Sequence, residues 1–117
     1  MNIGFQGIGE VAATFKLQDG TELNCGNAVA MTGNGEVGMG NEGDLICGTI
    51  LHMDKDGYAC VQIGGLTVVG YNGTAPAAGW QKMCVDGDGK VKVAGADGMD
   101  YLVVSVDESA KTAVIKL

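Results

Sequence analysis

Glycine interrupts this chain so often that few stretches of more than ten residues are free of it; 21 of the 117 residues are Gly. Each glycine inside a helix costs about 1 kcal/mol relative to alanine, so helices are disfavoured along nearly the whole length. The glycines follow no three-residue period and there is a single Pro, which excludes collagen. Many of them instead sit in turn dipeptides: Asp19-Gly20, Gly33-Asn34-Gly35, Asp56-Gly57, Asn72-Gly73, Asp86-Gly87-Asp88-Gly89 and Asp97-Gly98. Such pairs supply the positive φ angles of tight hairpin turns. Between them lie short Val/Ile/Leu/Met runs with strand character. The expected fold is all-β.

The turns also recur. Shifted by 53 or 54 residues, Gly20-Thr21 falls on Gly73-Thr74, and Gly26 on Gly79. Thr32-Gly33-Asn34-Gly35-Glu36-Val37 falls on Asp86-Gly87-Asp88-Gly89-Lys90-Val91. Ile50-Leu51-His52-Met53-Asp54 falls on Val103-Val104-Ser105-Val106-Asp107, and Ala59–Ile63 on Ala113–Leu117. Turns, strand ends and the terminal aspartate agree in order, which reads as an internal duplication. An N-terminal arm over 1–10 precedes a first β repeat over 11–63 and a second over 65–117, the two forming one compact unit. Each repeat of ~54 residues holds about five short strands. Strands with one apolar face must close on each other, so a Gly-rich small barrel or sandwich of about ten strands follows, as one barrel or two stacked ones.

Alternation assigns faces. Leu102, Val104 and Val106 share one face, which should meet the core together with their counterparts Thr49, Leu51 and Met53; His52 and Ser105 then point outward. Val29 with Met31, Val37 with Met39, Met83 with Val85, and Val91 with Val93 are further inward pairs.

A hydrophobic content of 46% is enough for a globular core, but no apolar run is long enough for a transmembrane helix. The opening Met1-Asn2-Ile3-Gly4-Phe5 has neither a basic region nor a continuous apolar one, so no signal peptide is read and a soluble intracellular product is expected. All seven basic residues are Lys, against 14 acidic ones, for a net charge of -7. Such a chain repels polyanions, which excludes nucleic acid and an anionic membrane surface as partners. Residues 1–63 hold eight acids and two Lys (-6), and residues 64–117 hold six acids and five Lys (-1).

Little points to chemistry. Cys25, Cys47, Cys60 and Cys84 are widely spaced and His52 is the only histidine, so compact zinc ligation is not indicated. The cysteines read as small hydrophobes in strands. Asp54-Lys55-Asp56-Gly57 and Asp86-Gly87-Asp88-Gly89 resemble fragments of a calcium loop but lack its closing Glu, so they read as hairpin turns. Gly33–Gly43 lacks the Lys-Ser/Thr signature of a phosphate loop. His52 would have to serve any Ser-His or Cys-His pair, and it reads as a solvated strand position. No carboxylate dyad stands out, because the acids lie in or beside turns. No metal, cofactor or catalytic residue is therefore expected. Trp80, which follows the loop Thr74–Gly79, reads as a packing anchor or an interface hot spot. Ile3, Phe5 and Ile8 make the arm apolar, suited to an edge strand or to a neighbouring subunit. These three and Trp80 are the candidate interface residues.

The cadence Gly26-Asn27-Ala28-Val29-Ala30-Met31-Thr32-Gly33-Asn34-Gly35-Glu36-Val37, then Gly43–Leu51, Ala59–Gly65 and Val68–Pro76, resembles that of small capsid decoration (cement) proteins of tailed bacteriophages and prophages. The resemblance covers most of the chain. It implies a small all-β module, frequently a trimer, that clamps the major capsid protein or another virion protein, in the virion or host cytoplasm. It implies no enzymatic activity and no cofactor. A shell gains stability from many copies, so moderate affinity per copy suffices. The other function that fits is a small-ligand or carbohydrate-binding β module, for which an aromatic content of 5% is low.

Overall fold

The computed structural model of the protein describes residues 8–20, 22–96 and 98–117. These form ten strands and no helix. The first five are β1 (Val11–Leu17), β2 (Ala28–Gly33), β3 (Glu36–Gly38), β4 (Gly48–Met53) and β5 (Tyr58–Gly64). They close into a barrel in the order β1-β3-β2-β4-β5. The next five are β6 (Leu66–Gly70), β7 (Gly79–Val85), β8 (Val91–Val93), β9 (Met99–Asp107) and β10 (Thr112–Lys116). They form a sheet in the order β6-β10-β9-β7-β8.

The two orders are the same ring. With β6 to β10 set on β1 to β5, the second sheet is the first barrel cut between its first and third strands. That pair is parallel in the barrel, with Lys16 opposite Glu36 and Leu17 opposite Val37. In the second sheet one parallel bridge, Tyr71 with Val91, stands at the equivalent place. The flanking bonds repeat as well. Gln18 N donates to Val37 O as Asn72 N does to Val91 O, and Leu17 N donates to Gly57 O as Tyr71 N does to Lys111 O. Strand order and these flanking bonds thus recur from one half of the chain to the other.

The cores follow from it. Val29, Val37, Ile50, Ala59 and Val61 fill the barrel, with Phe15, Leu17 and Met53 half-buried against them. Val69, Met83, Val85, Val91, Val103, Ala113 and Ile115 line the concave side of the second sheet. Ile50 pairs with Val61 as Val103 pairs with Ile115. Each fully buried aliphatic side chain of this kind contributes about 1.5–3 kcal/mol.

Three expectations are corrected. First, Leu102 and Val104 do not face the core; Tyr101 and Val103 do. A β-bulge is the reason. Ser105 pairs with Val114 and Val103 with Ile115, which leaves Val104 as the extra residue and reverses the alternation around it. The first repeat has the same bulge: Ile50 pairs with Val61 and His52 with Cys60, so Leu51 is extra and Ile50 points inward. Beyond the bulges, Met53 and Val106 are inward as expected. Second, Met31 shares the inward side of β2 but lies past the last β2–β4 pair, and it is half exposed. Third, only Cys60 and Cys84 lie in strands; Cys25 is exposed in a turn and Cys47 precedes β4. All four are free thiols.

The second sheet lies with its concave side on the outer face of the barrel. Ala28, Ala30 and Ile46 of the first repeat belong to the apolar cluster of the second. Ala28 N donates to Gly89 O (2.8 Å), Gly43 N to Val85 O (3.1 Å), and Val85 N to Asp44 O (2.9 Å). Tyr101 Oη donates to Ile46 O (3.1 Å). Buried Gln62 sends Nε2 to the carbonyls of Gly64 and Leu66 at 2.9 Å each. Lys92 and Glu42 form an ion pair across the same boundary.

Candidate interaction surface

Two apolar surfaces stand out among the described residues. The first is a groove of about 450 Å³ at the junction of barrel and sheet, lined by Ala30, Met31, Asp44, Leu45, Ile46, Cys47 and Met99. Met31 (50%), Leu45 (47%) and Met99 (50%) are all substantially exposed there. The groove exists because residues 43–46 leave the barrel to bond along Val85, while β2 and β9 end beside them. Cys47 Sγ lies 3.8 Å from Met31 Sδ. Burial pushes the Cys47 thiol up from its ordinary value, so it stays protonated and weakly nucleophilic at neutral pH. Asp44 stands at the rim with one carboxylate oxygen accepting Asn41 N (2.9 Å). Flexible thioethers on a half-exposed floor suit adaptable contact with another apolar surface.

The second surface is the outer face of the second sheet. Trp80, Leu102, Lys116 and Leu66 form one cross-strand row over β7, β9, β10 and β6. Val68, Val114 and Ser105 form the next. Trp80 is 70% exposed, so it anchors no packing among the described residues. Lys82 and Asp100 pair across the strands beside it at 3.5 Å. Leu66, Leu102, Val68 and Val114 are each half-buried.

Of the residues singled out from the sequence, Ile8 and Trp80 edge this same face. Ile8 is exposed, and its carbonyl accepts Leu66 N at the far side of β6. By strand spacing the two stand on the order of 20 Å apart. Ile3 and Phe5 lie outside the described residues. Met31, Leu45 and Met99 carried no signal of their own in the sequence: Met31 reads as core, Leu45 stands in the apolar run Leu45-Ile46-Cys47, and Met99 stands between Gly98 and Asp100.

The reactive side chains are placed as follows. His52 is exposed in a row with Cys60 and Thr14, beside a shallow hollow that also includes Asp54 and Tyr58. Asp54 is occupied: its Oδ1 accepts Asp56 N (2.9 Å) and Tyr58 N (3.1 Å). Asp86 Oδ1 likewise accepts Asp88 N (2.7 Å) and Lys90 N (3.0 Å). The aspartates of the calcium-like segments therefore hold their own turns. Among the described residues no three His, Cys, Asp or Glu side chains converge to hold a metal ion. The Cys84 thiol is pushed up, chiefly by burial, with nearby Lys92 opposing; burial also raises the Tyr101 hydroxyl, which serves Ile46 O. No helix among the described residues is long and apolar enough to cross a membrane. Comparison with protein-family models and with curated proteins gives no match.

Proposed function

We propose that this protein is a non-enzymatic structural component of a phage or prophage particle that binds and stabilises the capsid surface, with the major capsid protein or another virion protein as its partner. The observation that carries this reading is the junction groove, where Met31, Leu45 and Met99 present an apolar floor that none of the described residues covers. Contiguous exposed apolar surface marks an interaction site. The decoration-protein cadence of the sequence supplies the class of partner. The carbohydrate-binding alternative needs an aromatic platform, whereas the two exposed aromatic side chains among the described residues, Tyr58 and Trp80, lie on different repeats.

The test is co-sedimentation with shells assembled from the major capsid protein proposed as its partner. Saturable binding that raises the shell's thermal midpoint is expected. The double variant Met31→Lys/Met99→Lys should lose binding by roughly 30-fold, as for other central anchors. Absence of binding to intact shells, or equal binding by the double variant, overturns the reading.

A further inference from the structure

We propose that copies of this protein associate head to tail, the outer face of one chain's second sheet docking on the β1 side of the next chain's barrel. The contact inside the chain is the template. There, the barrel's outer row Ala12-Gln62-Thr49-Ala28 meets the second sheet. Gln62, Thr49 and Ala28 are fully buried as a result. The row at the same place in the second sheet is Leu66-Lys116-Leu102-Trp80, and no other described element covers it. The surface that does the covering also has a counterpart. It comprises Gly64, Leu66, Thr67 and Gly89, whose equivalents in the barrel are Glu10, Ala12, Ala13 and Gly35. Glu10, Ala12 and Gly35 are exposed and Ala13 is half-buried.

Carrying the internal contact forward by one repeat matches polar to polar and apolar to apolar. The Gln62 amide, which serves the carbonyls of Gly64 and Leu66, is replaced by the Lys116 ammonium, which meets the carbonyls of Glu10 and Ala12 and the Glu10 carboxylate. The Thr49–Thr67 hydroxyl pair is replaced by Leu102 against Ala13. Ala28, which bonds and packs beside Gly89, is replaced by Trp80 beside Gly35. Gly35 O already accepts Lys16 N, and a carbonyl with two lone pairs can accept a second donor. Among the described residues neither Glu10 nor Lys116 has an ion-pair partner within the chain. The barrel's need agrees too. Ala28, Ala30 and Ile46 cap the second core, while Phe15 and Leu17 on β1 remain half-buried in the first. A contact between unlike faces generates rings or filaments rather than a two-fold dimer.

Sedimentation velocity on the purified full chain at low ionic strength, without capsids, tests this separately from the proposed function. Concentration-dependent association is expected. Trp80→Ser should weaken it about tenfold or more, the effect of losing a central aromatic anchor. Glu10→Lys and Lys116→Glu, both at exposed positions, should each weaken it roughly three- to tenfold, and an equimolar mixture of these two should restore it. Circular dichroism of each variant should match the parent. A chain that stays monomeric overturns the proposal, as does association insensitive to Trp80→Ser. So does association lost in Trp80→Ser but kept in Glu10→Lys, the result expected of two second sheets packing face to face. A mixture that fails to recover overturns it as well.

Discussion

Thr49 of the barrel and Thr67 of the second sheet meet hydroxyl to hydroxyl, 2.8 Å apart and fully buried. Thr67 belongs to the row that lines the second sheet's concave side, and Thr49 to the row outside the barrel. One donor and one acceptor satisfy each other at the centre of the contact between the repeats. Removing one alone leaves the other buried without a partner. Thr49→Val or Thr67→Val should each destabilise by about 1–3 kcal/mol, while the double variant should cost well under the sum. Urea unfolding of the three variants measures the coupling, and additive losses would mean that the hydroxyls act independently.

Asp54, Asp86 and Asp107 each hold a turn by accepting two backbone N–H groups through Oδ1. Asp→Ala at each site should cost about 1 kcal/mol, and Asp→Asn less, because an amide oxygen still accepts. Added calcium should leave the thermal midpoint unchanged, since these carboxylates are committed to the backbone. A calcium-dependent rise would overturn that account.

Gly48 opens β4 against the backbone of β5. A Cβ built there would stand 1.9 Å from Gln62 O. That is backbone and cannot yield, so Gly48→Ala should cost at least about 3 kcal/mol, at the severe end of overpacking. Gly73→Ala is the comparison. It meets nothing within 4 Å, and its penalty comes from φ +75° alone, about 1 kcal/mol. Equal midpoints for the two variants would contradict this.

Lys92 Nζ donates to the Glu42 carboxylate across the repeat boundary, and this bond holds the Lys92 ammonium above its ordinary value of 10.5. A base whose folded value is raised stabilises the fold fully below its unfolded value and loses that contribution as pH rises through the folded one. The thermal midpoint should therefore fall more steeply above about pH 10.5 in the parent than in Glu42→Gln, which lacks the carboxylate. Parallel curves from pH 9 to 12 would show that the pair contributes nothing.

Much of the fold is legible in the sequence for a simple reason: turns are local. Asn-Gly and Asp-Gly pairs set the hairpins, and their recurrence 53 to 54 residues later sets the duplication, down to Asp54 and Asp107 holding equivalent turns. Strand faces are less legible. Leu102 and Val104 read as inward because alternation assumes an unbroken ladder, and a bulge at Val104 is a property of pairing with β10, which no spacing within β9 reveals. Cys25 reads as a buried hydrophobe and stands in an exposed turn for a related reason: its neighbours, not its own apolarity, decide where the chain folds back.

The sequence by itself determined an all-β chain of two like repeats, because glycine turns and apolar alternation act over a few residues. Only the tertiary structure decided which copy is covered. Ala28, Thr49 and Gln62 are polar or small, yet they lie fully buried under the second sheet, while the cross-strand row Trp80, Leu102 and Lys116 of that sheet carries the larger apolar surface and faces out. Which residues are buried between the two units depends on how the units stack, a long-range contact that no local pattern encodes.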